Sequence, residues 1–260
     1  MEHLLLDITG HVATVRLNRP EVRNAFNSVL IRELAEVFHD LGLRSDVRCI
    51  VLAAESPAFC AGGDLNWMRS MADYTREQNL ADAALLSGML QSIYTCPKPT
   101  IAAIHGDVFA GGMGLVAACD MAVSVDSANF CLSEVKLGLI PATISPYVIR
   151  AMGARAAHRY FLTAERFNAV EAYRIGFVHE VVAADALAER VTALAQTLVT
   201  AGPEALKACK RLLHDVAGHE IDPALLALTV KCIADIRASD EGKEGVSSFL
   251  QKRKPSWLPE

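Results

Sequence analysis

The stretch AGGMGLVAACD, residues 110–120, places three glycines among its first five residues and then continues with apolar side chains up to Asp120. Glycines at this density occur where a backbone adopts a positive φ or where another group must approach it closely. The stretch carries almost no titratable side chain before Asp120. Any chemistry at this point must therefore use backbone groups, or side chains from elsewhere in the chain.

A second glycine loop, AFCAGGDL at residues 58–65, has the same setting, because each loop follows a predicted strand and precedes a predicted helix. Backbone N–H groups at the start of a helix point outward, with the positive end of the helix dipole behind them. Two such ends that converge would form an oxyanion hole made of backbone alone. Two ordinary tight turns are the alternative interpretation.

The pattern along the chain predicts an α/β fold. HLLLDIT and VATVRLN flank Gly10-His11 and predict a β-hairpin, and Ser28 is expected to cap the helix that follows it. Beyond Pro141, helical patterns dominate and only FVHEVV predicts a strand between them. Four further segments predict strands: RCIVLAA, TIAAIHG, MAVSV and ANFCLS. Strand-rich units thus come first and a helical region follows, which suggests layered α/β packing.

Composition argues against several classes of partner. A net charge of −5 disfavours nucleic acid and anionic membranes, whose binding proteins carry basic patches. The seven cysteines are scattered without a C-x-x-C pair, so we interpret them as buried reduced thiols of a cytoplasmic protein. The first residues do not resemble a signal peptide, and the longest uncharged apolar run is too short for a membrane span.

Missing motifs exclude several catalytic chemistries. The sequence contains no P-loop motif and no G-x-S-x-G, and Gly111, Gly112 and Gly114 are wrongly spaced for a dinucleotide fingerprint. Zinc-binding spacings are missing as well, so no metal is expected. His105, beside Gly106, is interpreted as a core or loop histidine rather than a catalytic one.

Six segments occur in one order along nearly the whole chain: LNRPEVRNAFN (17–27), FCAGGDL (59–65), KPTIAAIHG (98–106), AGGMGLVAACD (110–120), SEVKLGLIP (133–141) and FLQKRKPSW (249–257). Together they resemble the crotonase superfamily, the enoyl-CoA hydratase/isomerase proteins. A match to any one segment would arise often by chance, whereas all six in sequence would not.

The resemblance implies a spiral of ββα units, here residues 1–200, and a helical C-terminal region, residues 201–260, that assembles trimers or hexamers. It also implies an acyl-CoA substrate, with coenzyme A as part of that substrate and no separate cofactor. The backbone N–H groups of Gly63 and Gly111 are expected to bind the thioester carbonyl oxygen. The residues expected to line coenzyme A are Ala61, Gly62, Asp64 and Leu65, with Arg23 near its phosphates. The basic run at 252–254 either adds charge there or is a solvated helix end.

Hydratases of this superfamily typically use two glutamates. By resemblance the second is Glu134, which is expected to exchange a proton at the carbon α to the thioester, with a pKa raised by an apolar pocket. The first falls on Gly114, which has no side chain. We expect Gly114 to leave space for a branch of the substrate, with close packing of a neighbouring helix as the alternative. Asp120 is expected to be a structural residue at a strand start.

LIPATISPYVIRAMG, RYFLTAERFNA and GFVHEVV resemble hydratases that act on 3-methylglutaconyl-CoA in leucine breakdown or on isohexenylglutaconyl-CoA in acyclic terpene breakdown. Thr143, with Ser145 and Tyr147, is expected to orient water or a substrate carboxylate, unless these residues only cap a helix. The sequence therefore predicts a hydratase for a branched, β-substituted enoyl-CoA. The alternatives are a Δ3,Δ2-enoyl-CoA isomerase that uses one glutamate and a non-enzymatic RNA-binding protein, which the negative net charge disfavours.

Overall fold

The structure, a computed structural model, describes residues 1–55 and 57–258. Its strands are β1 (Leu4–Thr9), β2 (Val12–Leu17), β3 (Cys49–Ala54), β4 (Ala58–Cys60), β5 (Thr100–Ile104), β6 (Asp107–Phe109), β7 (Met121–Val125), β8 (Asn129–Cys131), β9 (Phe167–Asn168) and β10 (Glu180–Val182). They form two sheets over the described residues, one in the order β1-β2-β3-β5-β7-β10 and one in the order β4-β6-β8-β9.

The larger sheet begins with the predicted hairpin, since β1 and β2 pair antiparallel around Gly10 and His11, both at positive φ. Positive φ at two central residues gives a turn whose twist matches that of the flanking strands. From β2 onward every pairing in this sheet is parallel. The continuous apolar sequences of β3 and β5 fit this arrangement, because helices cover both faces of parallel sheets.

The helices are α1 (Ser28–Leu43), α2 (Leu65–Met71), α3 (Arg76–Tyr94), α4 (Gly111–Ala118), α5 (Ser145–Thr163), α6 (Ala169–Arg174), α7 (Leu187–Thr200), α8 (Pro203–Val216), α9 (Pro223–Ala238) and α10 (Asp240–Leu250). The cap of α1 differs from the prediction: the side chain of Asn27, not Ser28, accepts a hydrogen bond of 2.8 Å from the backbone N–H of Leu30. Two adjacent residues of good capping chemistry made that position ambiguous.

The smaller sheet is the part that the sequence pattern missed. Strands β4 and β9 were not predicted, and β6 was not separated from the glycine stretch that follows it. These strands have two or three residues each, too few to produce a visible alternation. The predicted strand FVHEVV is real only over Glu180–Val182.

The C-terminal helices α8, α9 and α10 begin just after α7 ends at Thr200, where the sequence predicted its boundary. Lys210 of α8 is buried and lies 2.7 Å from the Asp120 carboxylate, which also accepts a 2.7 Å hydrogen bond from the N–H of Thr100. Asp120 directly precedes β7, as expected of a structural residue. The division into two units stays a prediction, because these helices are joined to the core through that buried pair.

All seven cysteines, which lie within the described residues, are free thiols, and four of them are buried. Burial raises the pKa of the Cys60 thiol to about 12, so this group is inert at neutral pH. The exposed Cys209 departs from the expectation that these thiols are buried. No helix in the described part of the chain is long and apolar enough to cross a membrane.

Helix α4 packs against the start of α5 at Gly114, and this contact corrects one expectation. A Cβ at Gly114 would lie 2.3 Å from Cγ2 of Ile144 and 3.3 Å from Leu90. Ile144 itself is 1% exposed. The missing side chain therefore leaves no space for a substrate branch, because Ile144 fills the position.

We predict that Gly114→Ala lowers the free energy of unfolding by about 1–3 kcal/mol, the usual cost of overpacking a core. Gly88→Ala, in the interior of α3, is the matched control, since a Cβ there meets nothing within 4 Å. That control is expected to stabilise the protein by up to about 1 kcal/mol through helix propensity. Urea unfolding of both variants measures the difference, and a Gly114→Ala protein as stable as the wild type would contradict the packing described here.

Candidate active site

Two short strands place the glycine loops side by side. Strands β4 and β6 pair in parallel, so their carboxyl ends meet at one edge of the smaller sheet. The loop after β4 leads into α2, and the loop after β6 leads into α4. A Cβ at Gly62 would lie 2.9 Å from Cβ of Ala110, and one at Gly112 would lie 2.8 Å from Cβ of Cys60. The glycines are required because the two loops touch.

The backbone of Gly63 is oriented by a parallel bridge to Phe26. The N–H of Phe26 donates to the carbonyl of Gly62 at 2.7 Å, and the N–H of Asp64 donates to the carbonyl of Phe26 at 2.8 Å. In a parallel bridge these flanking groups face the partner, so the N–H of Gly63 itself faces away from Phe26. Within residues 1–55 and 57–258 this N–H has no hydrogen-bond partner.

Gly111 is the first residue of α4, and its N–H belongs to the helical turn that lacks intrahelical acceptors. It has no acceptor among the described residues. The preceding Ala110 has φ 47° and ψ −120°, a conformation that costs an alanine energy. A hydrogen bond of 2.8 Å from its N–H to the carbonyl of Cys131 holds it there. This strain could not be predicted from the sequence, because alanine carries no preference for positive φ.

Glu134 is the carboxyl group of the site. It begins a short 3₁₀ turn, Glu134–Leu137, shortly after β8, the strand that pairs with β6. Its Oε2 is buried and has no hydrogen-bond partner within the described part of the chain. Burial raises the pKa of this carboxyl above its ordinary value. A buried oxygen without a partner is costly to a folded protein, and such groups occur where function requires them.

The Asp64 carboxylate is engaged in a buried ion pair and a helix cap, so its side chain is not available to coenzyme A, and contact through its backbone stays a prediction. It is 5% exposed, accepts a hydrogen bond of 2.7 Å from the N–H of Asn66 as the cap of α2, and lies 2.9 Å from the guanidinium of Arg19. Arg19 also donates to the carbonyl of Ala25 at 2.5 Å. This buried pair holds the loop of Gly63 against the segment that carries Phe26. The sequence did not single out Arg19, because nothing in the sequence distinguishes a buried arginine from the many solvated ones.

The other residues expected to bind coenzyme A lie in or next to the loop that contains Gly63. Arg23 is exposed at φ 53°, and its carbonyl accepts a hydrogen bond of 3.0 Å from the N–H of Ala61. Ala61 is half-buried, Gly62 is buried, and Leu65 is 69% exposed at the start of α2. Arg23 is therefore adjacent to the loop of Gly63, as the resemblance implied, and its contact with coenzyme A stays a prediction.

The polar residues at the start of α5 have separate environments. The hydroxyl of Ser145 donates to the carbonyl of Ala142 at 2.8 Å, which is a local turn contact. The ring of Tyr147 packs edge-on against Tyr94, with centroids 5.2 Å apart. Thr143 is half-buried, with no hydrogen bond or ion pair among the described residues. Thr143 and Tyr147 thus keep hydroxyls without a hydrogen-bond partner among the described residues, whereas that of Ser145 is used locally.

Two further candidates lie apart from these loops. His105 lines a cavity of about 340 Å³ together with residues of β2 and α7, and Glu134 and the glycine loops are not part of that lining. In the basic run at 252–254, Arg253 forms an ion pair of 2.6 Å with Glu244. No group of three or more His, Cys, Asp or Glu side chains within the described residues could hold a metal ion.

Comparison with known proteins agrees with this geometry. The profile of the enoyl-CoA hydratase/isomerase family matches residues 7–259. A crystal structure of an enoyl-CoA hydratase from Shewanella pealeana is 42% identical with a TM-score of 0.95, covering 98% of this chain and 96% of that one. A Legionella pneumophila structure of the enoyl-CoA hydratase/isomerase (crotonase) type is 45% identical with a TM-score of 0.93, covering 98% and 99%. Enoyl-CoA hydratase ACTT6 of Alternaria alternata is 35% identical over 246 residues, covering 94% of this chain and 80% of that protein.

We predict that Gly63→Pro lowers kcat on an enoyl-CoA by about 10²–10³-fold, the usual effect of removing one oxyanion donor. Gly63→Ala is the matched control, because it keeps the N–H and its Cβ would make an ordinary contact of 3.5 Å with Met68. The alanine variant should retain most of its turnover. Equal activities of the two folded variants, measured by steady-state kinetics, would exclude the N–H of Gly63 as a donor.

Proposed function

The chain belongs to the enoyl-CoA hydratase/isomerase family, and from this premise we propose that it hydrates a branched, β-substituted enoyl-CoA such as 3-methylglutaconyl-CoA. An activity of the hydratase/isomerase type follows from the family itself. The choice of substrate is our proposal. The observation that carries it is the carboxyl of Glu134, whose Oε2 is buried without a partner and which has no second carboxylate at Gly114 to work with.

In the proposed reaction the thioester carbonyl oxygen accepts hydrogen bonds from the N–H groups of Gly63 and Gly111. Both donors lack other partners among the described residues and need no rearrangement when enolate charge develops. The oxygen of water forms a bond to the β carbon, and Glu134 delivers a proton to the α carbon. The proton that water loses returns to the carboxylate of Glu134 directly or through a second base, so the reaction is balanced.

The need for a second base favours a substrate whose acyl group carries a carboxylate. Where the resemblance puts the first glutamate of a hydratase, Gly114 is covered by the side chain of Ile144. A glutaconyl-type substrate carries a carboxylate of its own, which can accept the proton from water. The same chemistry applies to isohexenylglutaconyl-CoA, which carries its carboxyl group in the same position on a longer chain. Such substrates belong to leucine and acyclic terpene breakdown respectively.

A Δ3,Δ2-enoyl-CoA isomerase is the second candidate, and one observation favours it. Isomerisation needs only one base, which removes a proton from one carbon and returns it to another. The half-buried Glu134 and the apolar Ile144 would suit that reaction, since a dry wall keeps water from the enolate. Hydration and isomerisation are therefore to be compared on the same preparation.

We further propose that the protein assembles as a trimer or hexamer through its C-terminal region. Large apolar side chains are exposed there on the isolated chain, and Phe249 of α10 is 81% exposed and Ile221 is 83% exposed. Exposed apolar surface of this kind usually marks a contact with another chain. We propose no cofactor beyond the coenzyme A of the substrate, and a cytoplasmic location fits the free thiols.

Glu134→Gln is predicted to lower kcat by about 10²–10⁴-fold while leaving acyl-CoA affinity largely intact, because it removes proton transfer and keeps the shape. Because burial raises the folded-state pKa of Glu134, the stability available at low pH is lost as the pH rises through that value. Because Gln does not titrate, the Gln variant does not lose this stability and should be at least as stable as the wild type at neutral pH. Steady-state kinetics measure the activity of the variant, and thermal unfolding measures its stability. A folded variant that keeps more than about a tenth of the wild-type kcat would contradict the catalytic role.

The substrate proposal predicts that wild-type enzyme hydrates 3-methylglutaconyl-CoA with a higher kcat/KM than crotonyl-CoA, and isomerises a 3-enoyl-CoA slowly. Product formation is followed by chromatography on the three substrates with one enzyme preparation. Fast isomerisation with little hydration would replace the hydratase by the second candidate. Preference for crotonyl-CoA would exclude the branched acidic substrate and leave the family assignment unaffected.

A further inference from the structure

Two exposed cations beside the site have no ion-pair partner. Lys136 and Arg166 are both exposed, and neither takes part in an ion pair or a side-chain hydrogen bond within residues 1–55 and 57–258. Some basic side chains of the chain have acidic partners, as Arg159 does with Glu165 at 2.5 Å, whereas others, such as Lys243, have none among the described residues. Cations left unpaired next to a catalytic carboxyl leave room for an anion from outside.

Arg166 lies over the strand that leads to the oxyanion loop. Its guanidinium carbon is 5.0 Å from the ring centroid of Phe109, a cation–π contact. Phe109 is the last residue of β6, two residues before Gly111, and it pairs in register with Cys131 of β8. The stacking holds the planar guanidinium against Phe109 and uses none of its N–H groups.

Lys136 lies in the same 3₁₀ turn as Glu134, which follows the end of β8 at Cys131. The turn is tight, since the N–H of Lys136 donates to the carbonyl of Ser133 at 3.1 Å. Burial raises the pKa of the Cys131 thiol, while Lys136 and Arg166 oppose this shift and Glu134 adds to it. Both cations are therefore close enough to the Cys131 thiol to influence its pKa.

Neither cation neutralises Glu134. The raised pKa of that carboxyl is due to burial, opposed by a hydrogen bond to its own backbone. Both positive charges act on the Cys131 thiol, and neither forms an ion pair with Glu134 among the described residues. They are therefore available to attract an anion. This arrangement suits a substrate that has its reactive carbons at Glu134 and an anionic group elsewhere in its acyl chain.

We propose that Lys136 and Arg166 together bind the distal carboxylate of the acyl group and so select dicarboxylic acyl-CoA substrates. The inference rests on the proposed function, because it concerns the acyl end of the same substrate. A guanidinium fork recognises a carboxylate through two parallel hydrogen bonds, and a lysine adds a compact charge. In a chain with a net charge of −5, such local positive charge is needed to hold a second anionic group.

Binding of unreactive analogues tests the inference without depending on catalysis. 3-Methylglutaryl-CoA carries the distal carboxylate, and 3-methylbutyryl-CoA has the same branch without it. We expect Lys136→Gln and Arg166→Gln each to weaken binding of the acidic analogue by about tenfold to a hundredfold, as for a lost charged hydrogen bond. Affinity for the neutral analogue should stay unchanged. Isothermal titration calorimetry gives both constants.

Lys243→Gln is the matched control, because Lys243 of α10 is exposed and has no acidic partner in the described part of the chain. It should change neither affinity, and Lys136→Arg should restore most of the binding lost in Lys136→Gln. Equal weakening of both analogues would assign the cations to the coenzyme phosphates and overturn the inference. A wild type that binds both analogues alike would overturn it as well. A preserved preference for the acidic analogue in an enzyme that does not hydrate 3-methylglutaconyl-CoA would uphold the inference and reject only the proposed reaction.

Discussion

The parallel pairing of β4 with β6 is the interaction on which the site depends. It brings two strand ends to one sheet edge, and each strand continues into a loop whose first free N–H lies at Gly63 or Gly111. The loops touch so closely that side chains would not fit at Gly62 or Gly112. Backbone donors fixed in this way cannot turn away from a ligand. The arrangement can therefore stabilise developing negative charge without any reorganisation.

Two buried groups near these loops cost stability in different ways. The ion pair of Arg19 and Asp64 must be desolvated, but its hydrogen bonds to Ala25 and Asn66 offset that cost and fix the Gly63 loop. Glu134 has no ion-pair partner among the described residues, and one of its oxygens is buried without a hydrogen bond, as is the Nε of Arg19. The ion pair therefore accounts for the rigidity of the backbone donors. The burial of Glu134 accounts for a carboxyl group that can exchange protons.

The sequence predicted local elements well and distant contacts poorly. The hairpin of β1 and β2, the strands β3, β5 and β7, and the two glycine loops at strand-to-helix junctions are all present. Local patterns suffice for these, because turn residues and apolar periodicity act over a few positions. The sequence could not reveal that Ile144 fills the space at Gly114, or that Arg19 takes the carboxylate of Asp64. Each of those partners lies at least thirty residues away, and only the folded chain brings them together.

The most direct test of the central claim is the infrared stretching frequency of a ¹³C-labelled thioester carbonyl in a bound acyl-CoA. Two backbone donors aimed at that oxygen would polarise the bond in a site shielded from water. We expect a frequency clearly below that of the same acyl-CoA in aqueous solution, with a narrower band because the donors are fixed. A bound carbonyl with the frequency and width found in water would contradict it, because the N–H groups of Gly63 and Gly111 would then not form an oxyanion hole.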